Sequence, residues 1–322
     1  MKQFQTRMVL MLAVVLVAAL CGVGECAAAF PSRNVVISVP ANAGGGGDIF
    51  ARQTSEAIKA NAGPLFVVEN HPGGGGANAM SNVWGKKHDG HVLLLVTNST
   101  IVCNPYAYTM PREVRDFKGV IRVMSDSTVL FASTASGIKT IDEFIERARS
   151  KKLTIGGYSF GSVDHIGAFM LGKAGGFEFN YIPYDSGADS IVAVMGGHID
   201  AAFTQYSDLV SNHEAGTAVV LANAASERSN TLPDVPTFIE KGFDVPELAN
   251  WRGYAVPKDV PDDVVAALHD IIKKAIETNV FKTYMTNSNL ADAYLSPEEF
   301  TESIYEQYDT MGKVLDELGI NK

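Results

Sequence analysis

Apolar residues along this chain fall into two alternating patterns. Short, nearly unbroken apolar runs mark strands at Val35–Val39, closed by Pro40, and at Leu65–Asn70, His91–Thr97 and Leu153–Tyr158. Further runs lie at Tyr181–Tyr184, His198–Phe203, Val219–Ala222 and Trp251–Val256, and Val120–Ser133 reads as two more extended segments. Between the runs, helices open on capping residues. The box Thr140-x-x-Glu143 starts a helix to about Ser150, Ser162 caps the next, and Gly196-Gly197 stops the one before His198. Two amphipathic helices close the chain. One begins at Pro261-Asp262-Asp263 and carries Val264, Val265, Leu268, Ile271, Ile272 and Ile276 on its apolar face; the other begins at Ser296-x-x-Glu299 and carries Phe300, Ile304, Met311, Leu315 and Leu318. Strands that alternate with helices predict an α/β fold.

The stretch Val35–Arg52 joins a buried strand to a helix through Gly44–Gly47. Glycines there let the backbone approach a ligand, and Asp48 is placed to cap free amides at the helix start. Such a turn against a helix N-terminus suits an anion. It is not a P-loop, because no Gly-Lys-Ser/Thr follows, and its spacing misses the dinucleotide fingerprint. A second unit of the same kind follows, Leu65–Asn70 and then Gly73–Gly76, so the pair predicts two edges of one cleft.

Charge and cysteine content narrow the class. Lys2 and Arg7 precede the apolar run Met8–Leu20, and Ala27-Ala28-Ala29 offers a cleavage site, so residues 1–29 read as a cleaved export signal. Cys21 and Cys26 lack the small preceding residue of a lipid anchor. Cys103 is then the single cysteine of the mature chain, and no intramolecular disulfide supports the fold. The formal charge of -10 argues against nucleic acid and anionic membranes. It leaves room for a small anion held by backbone amides.

Gly157-Tyr158-Ser159-Phe160-Gly161 matches the G-x-S-x-G nucleophile elbow between a strand and a helix. A secreted α/β serine esterase using Ser159, with Asp200 and then His213 or His269, is therefore the alternative reading. Both histidines sit in undistinguished polar or amphipathic settings. The histidines 71, 88 and 91 lack the companion pattern of a metal site, and no cofactor is expected.

Many ordered motifs resemble the substrate-binding proteins of tripartite tricarboxylate transporters, the Bug receptors. They are Val39-Pro40 with Gly44-Gly45-x-x-Asp48-x-x-Ala51-Arg52, then Val68-Glu69-Asn70-x-Pro72-Gly73 and His88-Asp89-Gly90. Gly161-Ser162-x-x-His165, Pro183-Tyr184, Gly196-Gly197-x-Ile199-Asp200, Pro236-Thr237 and Trp251-x-Gly253-Tyr254-x-Val256-Pro257 continue the match to the C-terminus.

The resemblance implies a two-domain, type II-like periplasmic binding protein with two crossovers and a ligand cleft between domains. The expected boundaries are residues 30–127 plus 250–322 for one domain and 128–249 for the other. It implies a periplasmic receptor, not an enzyme, that passes a small carboxylate to a two-subunit membrane permease; a sensor kinase is the other conceivable partner. The carboxylate would lie between Asn42, Ala43, Gly44, Gly45 and Asp48 on one side and Ser159, Gly161, Ser162 and His165 on the other. Asn98, Ser99, Tyr184 and Asp185 complete the candidate set. Asp185 stands where small or basic residues are frequent; it would repel a second carboxylate or accept from an ammonium or hydroxyl group. None of the three loops Asn42–Asp48, Asn98–Thr100 and Ser159–His165 holds a lysine or arginine, so amides and hydroxyls are expected to meet the charge. The ligand itself stays open: tricarboxylate, C4-dicarboxylate, aromatic carboxylate, acidic amino acid or nicotinate-like acid.

Overall fold

Strand β1 (Val35–Val39) is paired on both edges by parallel neighbours, β2 (Phe66–Asn70) and β3 (Val92–Thr97), and is almost wholly buried because helices also pack against it. Helices α1 (Gly46–Ala60) and α2 (Ala77–Trp84) make the crossovers, as parallel pairing requires. The computed structural model describes residues 30–228, 232–245, 247–317 and 319. The expected export signal, Cys21, Cys26 and Leu318 lie outside the described residues. Arg33–Lys322 form one compact unit.

The remaining elements are β4 (Phe117–Ser133), α3 (Ile141–Ser150), β5 (Leu153–Tyr158), α4 (Val163–Gly175), β6 (Phe179–Tyr184), α5 (Gly187–Met195) and β7 (Ala201–Gln205). They are followed by α6 (Tyr206–Glu214), β8 (Ala218–Asn223), β9 (Ala249–Pro257), α7 (Asp262–Ile276), α8 (Asn279–Asn287), β10 (Ala291–Leu295) and α9 (Pro297–Glu317). The main strand order is β2-β1-β3-β9-β4-β7-β5-β6, with β8 and β10 also paired to β4. Strand β4 changes partners midway. Up to Ser127 it pairs antiparallel with β9, ending at Ser127↔Ala249; from Thr128↔Gln205 onward it pairs with β7, and with β8.

Val120–Ser133, expected as two segments, is part of one strand of 17 residues. No proline interrupts it, and its alternating burial runs through the change of partners. Two short helices, α6 and α8, and strand β10 were not visible in the periodicity. Strand β10 is largely half-exposed and its register with β4 shifts between Asp292 and Leu295, so pairing rather than apolar alternation defines it. The expected caps are present: Thr140 Oγ1 accepts from the Glu143 amide at 3.2 Å while Glu143 accepts from the Lys139 amide at 2.7 Å. One apolar core joins Leu94, Phe117, Leu130, Phe203 and Phe300, and a smaller cluster packs α5 and α6 on β7 and β8. Cys103 is buried and free, and burial pushes its thiol far up, so it is inert packing.

Candidate functional site

Loop chemistry places two helix starts face to face. After β1 the chain turns at Gly44, whose φ of +83° favours glycine. Helix α1 then starts after Gly45, which caps without a side chain. Asp48 folds back: its Oδ2 accepts from the Gly44 amide and from Arg52 Nε, both at 2.9 Å. Burial alone would raise this carboxyl, but those bonds hold it below the usual range. Helix α5 starts after Ser186, whose hydroxyl accepts from the Asp189 amide and donates to Asp189 Oδ2 at 2.7 Å. Asn42 Nδ2 donates to the same Asp189 oxygen at 2.8 Å and ties the two loops together.

Between these starts lies a cavity of about 40 Å³. Pro40, Ala41, Gly46 and Gly47 line one side, and Tyr158, Ser186 and Gly187 the other. Leu95, Thr97 and Thr100 stand at the end of β3, while Gln205, Asp208, Asn250 and Arg252 close the floor. The volume suits a few waters or one small polar group. Its position beyond strand ends, where the sheet order reverses, is the usual place for a ligand in an open α/β sheet.

The floor is charged. Arg252 is 2% exposed and its guanidinium reaches Asp126 Oδ2 at 3.2 Å and Asp208 Oδ1 at 4.0 Å. Asp126 also accepts from the Ser207 hydroxyl and amide. Burial outweighs Arg252 and pushes the Asp126 carboxyl up to about 6; Asp208 is raised for the same reason. Behind them Asp164 accepts from Gln205 Nε2 and from the Tyr158 amide, both at 2.9 Å, and burial pushes it to about 7. Asn250 Oδ1 is buried on the cavity floor and has no hydrogen-bond partner among the described residues.

None of the thirteen residues expected from sequence lines this cavity; they build its surrounding loops. The Gly45 amide bonds Asn42 O at 3.1 Å, and Gly45 has an ordinary φ of -74°. Ala43 is exposed, and Asn98 Nδ2 donates to Ala249 O. Ser99 Oγ accepts from the Val163 amide, Ser159 Oγ donates to Asn104, and the Ser159 amide bonds Tyr184 O. Ser162 caps α4 as expected, accepting from the His165 amide and donating to Tyr158 O. The Gly161 amide donates to His165 Nδ1 at 3.1 Å, so this ring nitrogen is an acceptor. Burial lowers His165 to about 4, so it is neutral near pH 7. Asp185 is exposed.

Sequence reasoning missed Asp126, Gln205, Asp208, Asn250 and Arg252. The one local signal was a charge inside the buried run Ala249–Pro257, at Arg252. Chemistry of the esterase type is not assembled. Ser159 bonds Asn104, Asp200 pairs with Lys151 and the Thr154 amide, His213 faces Tyr206, and His269 faces Tyr294.

Comparisons with known proteins agree with this architecture. The model of the tripartite tricarboxylate transporter family receptor, TctC, matches residues 50–320. Protein BugT of Bordetella pertussis is 23% identical over 295 residues, 90% of this chain and 90% of BugT. The structure of the periplasmic binding protein BugD matches with a TM-score of 0.85 at 25% identity, covering 91% of this chain and 100% of BugD. R. palustris Rpa4515, solved with adipate, has the same fold at a TM-score of 0.85 and 23% identity, over 91% of this chain and 99% of that one. The family consists of substrate-binding receptors rather than enzymes, which sets the esterase reading aside. With an α/β fold like that of BugD and a family match over most of its length, the chain belongs to the tripartite tricarboxylate transporter receptors.

Proposed function

We propose that this receptor is exported to the periplasm, captures a small carboxylate in the cavity between the starts of α1 and α5, and delivers it to a two-subunit membrane permease. The observation that carries the reading is the convergence of two helix N-termini and a buried arginine, Arg252, on one cavity. Helix starts and a guanidinium are the groups that meet a carboxylate. The loops Asn42–Asp48, Asn98–Ser99, Ser159–His165 and Tyr184–Asp185 surround the cavity, and Asn42 ties the two starts together through Asp189. Residues 30–127 plus 250–322 and residues 128–249 would act as two lobes closing on the ligand. In support, β4 exchanges β9 for β7 between Ser127 and Thr128, and β9 resumes at Ala249.

A thermal-shift screen over mono-, di- and tricarboxylates tests the capture. A ligand at a hundredfold excess over its dissociation constant adds about 2.7 kcal/mol of stability. A flat response across the panel sinks the reading. For a ligand that binds, small-angle scattering with and without it should record compaction; identical profiles rule out closure.

A further inference from the structure

Gln205 lines the cavity and is itself 5% exposed. Its Nε2 donates to Asp164 Oδ1 at 2.9 Å, and Asp164 Oδ2 accepts from the Tyr158 amide at the same distance. An ionised carboxylate only accepts, so it draws the NH2 half of the Gln205 amide toward itself. The half turned away is the carbonyl Oε1. That oxygen bonds no protein group among the described residues and is not sealed in the core. The cavity is the open space beside it.

Asp164 is fully buried in the first turn of α4 and has no cation to keep it ionised. The titratable groups around it are Tyr158 on β5, Tyr181 on β6, Asp126 on β4 and Asp208 on α6. Burial keeps both phenols protonated, and both aspartates repel a charge on Asp164. His165, the next residue, is neutral near pH 7. Arg252 lies 3.2 Å from Asp126 and 4.0 Å from Asp208. Three buried carboxyls around one guanidinium carry an excess of negative charge that a bound proton relieves. Asp164, without a cation, is the acid to take it, and burial pushes it to about 7 against its two hydrogen bonds.

We propose that Asp164 is a proton-controlled positioning residue for the cavity wall. Protonated on Oδ1 by a proton from solvent, it donates to Gln205 Oε1 and turns the Gln205 NH2 onto a captured carboxylate. Ionised, it holds that NH2 and leaves Oε1 facing the carboxylate, acceptor against acceptor. The protonated form therefore binds better, capture takes up a proton, and affinity falls as pH rises above the Asp164 pKa. The inference rests on carboxylate capture at this cavity.

Isothermal titration with adipate, succinate and benzoate at pH 6.5, 7.5 and 8.5 tests it, in two buffers of different ionisation heat so that proton uptake is read beside affinity. The carboxyls of these probes are largely ionised throughout that range. A probe that binds should lose roughly threefold to tenfold in affinity per pH unit above pH 7 and take up about one proton at pH 8.5. Asp164→Asn donates to Gln205 at every pH, so it should keep the pH 6.5 affinity and lose both the slope and the uptake. With no probe present, the Gln205 side-chain amide signal in NMR should titrate near pH 7 in wild type and stay flat in Asp164→Asn. Binding that is flat with pH, together with a Gln205 amide that does not titrate, overturns the positioning role while carboxylate capture stands. A slope that survives in a folded Asp164→Asn protein belongs to Asp126 or Asp208 and also overturns it. If no probe binds at any pH, capture of these acids falls and the proposal with it. Should Asp164→Asn fold poorly, the wild-type slope, proton uptake and Gln205 titration still decide.

Discussion

Replacing Arg252 with methionine is the most informative perturbation of the floor. The side chain is of similar length, so the change removes charge with little loss of volume. What remains is Asp126, fully buried, and Asp208, 5% exposed, with no guanidinium between them. Ser207 still donates to Asp126 through its hydroxyl and amide, which softens but does not replace the lost cation. Breaking a buried ion pair by removing one partner costs about 3–5 kcal/mol. For a chain of this size that is a drop in Tm of roughly 5–8 °C at pH 8. The cost must depend on pH. Burial already holds Asp126 up to about 6 with the arginine present, and the loss of Arg252 raises both carboxyls further. An unfolded aspartate releases its proton near about 3.9. Between these values the folded variant binds more protons than the unfolded chain, so its stability rises as pH falls. Chemical denaturation of wild type and Arg252→Met at pH 8 and pH 5 reads this directly. The gap between them should be about 3–5 kcal/mol at pH 8 and clearly smaller at pH 5. Adding Asp126→Asn should recover most of it. A gap below about 1 kcal/mol, or one that does not shrink at pH 5, refutes the view that Arg252 compensates buried charge.

Three further outcomes follow from the geometry. Gly46→Ala puts a methyl group against the Asp208 carboxylate and 2.6 Å from Arg252 Nη2, so ligand-induced stabilisation should vanish in a thermal-shift assay; a normal shift would place the ligand elsewhere. Asp48→Asn should cost about 1–2 kcal/mol at pH 7, near the low end for charged hydrogen bonds because Arg52 is half exposed. The Asp48 carboxyl is held below its ordinary value, so its contribution is present above about pH 4 and is lost as pH falls through the folded pKa; a deficit that persists unchanged at low pH counts against the Gly44–Asp48–Arg52 arrangement. Gly253→Ala sets a Cβ against the Ile121 carbonyl and 2.8 Å from the Phe300 ring, for a loss of about 1–3 kcal/mol in urea unfolding; a neutral result would mean that both α9 and the β4–β9 pairing give way to the added methyl.

The sequence by itself determined most of the longer elements and several of their caps. Buried parallel strands such as Val35–Val39 and Val92–Thr97 read as unbroken apolar runs because both faces are covered. Thr140 and Ser162 announced helix starts because capping is a bond within one turn. The glycine turn before α1 was equally local, with Gly44 at a φ of +83°. The tertiary structure alone decided what fills the space beyond those turns. Asp126 lies at the partner change of β4, Asp208 on α6 and Arg252 on β9, and they meet only because β9 pairs with β4 and α6 packs behind β7. Several amides and hydroxyls assigned to the ligand from sequence are bonded to other protein groups, within one loop as at Gly161 with His165, or across loops as at Ser99 with Val163. Periodicity and caps are set by neighbours a few residues apart, so a single sequence carries them. The charge balance of a cavity is set by side chains brought together from distant segments, and no local pattern marks which of them will face each other.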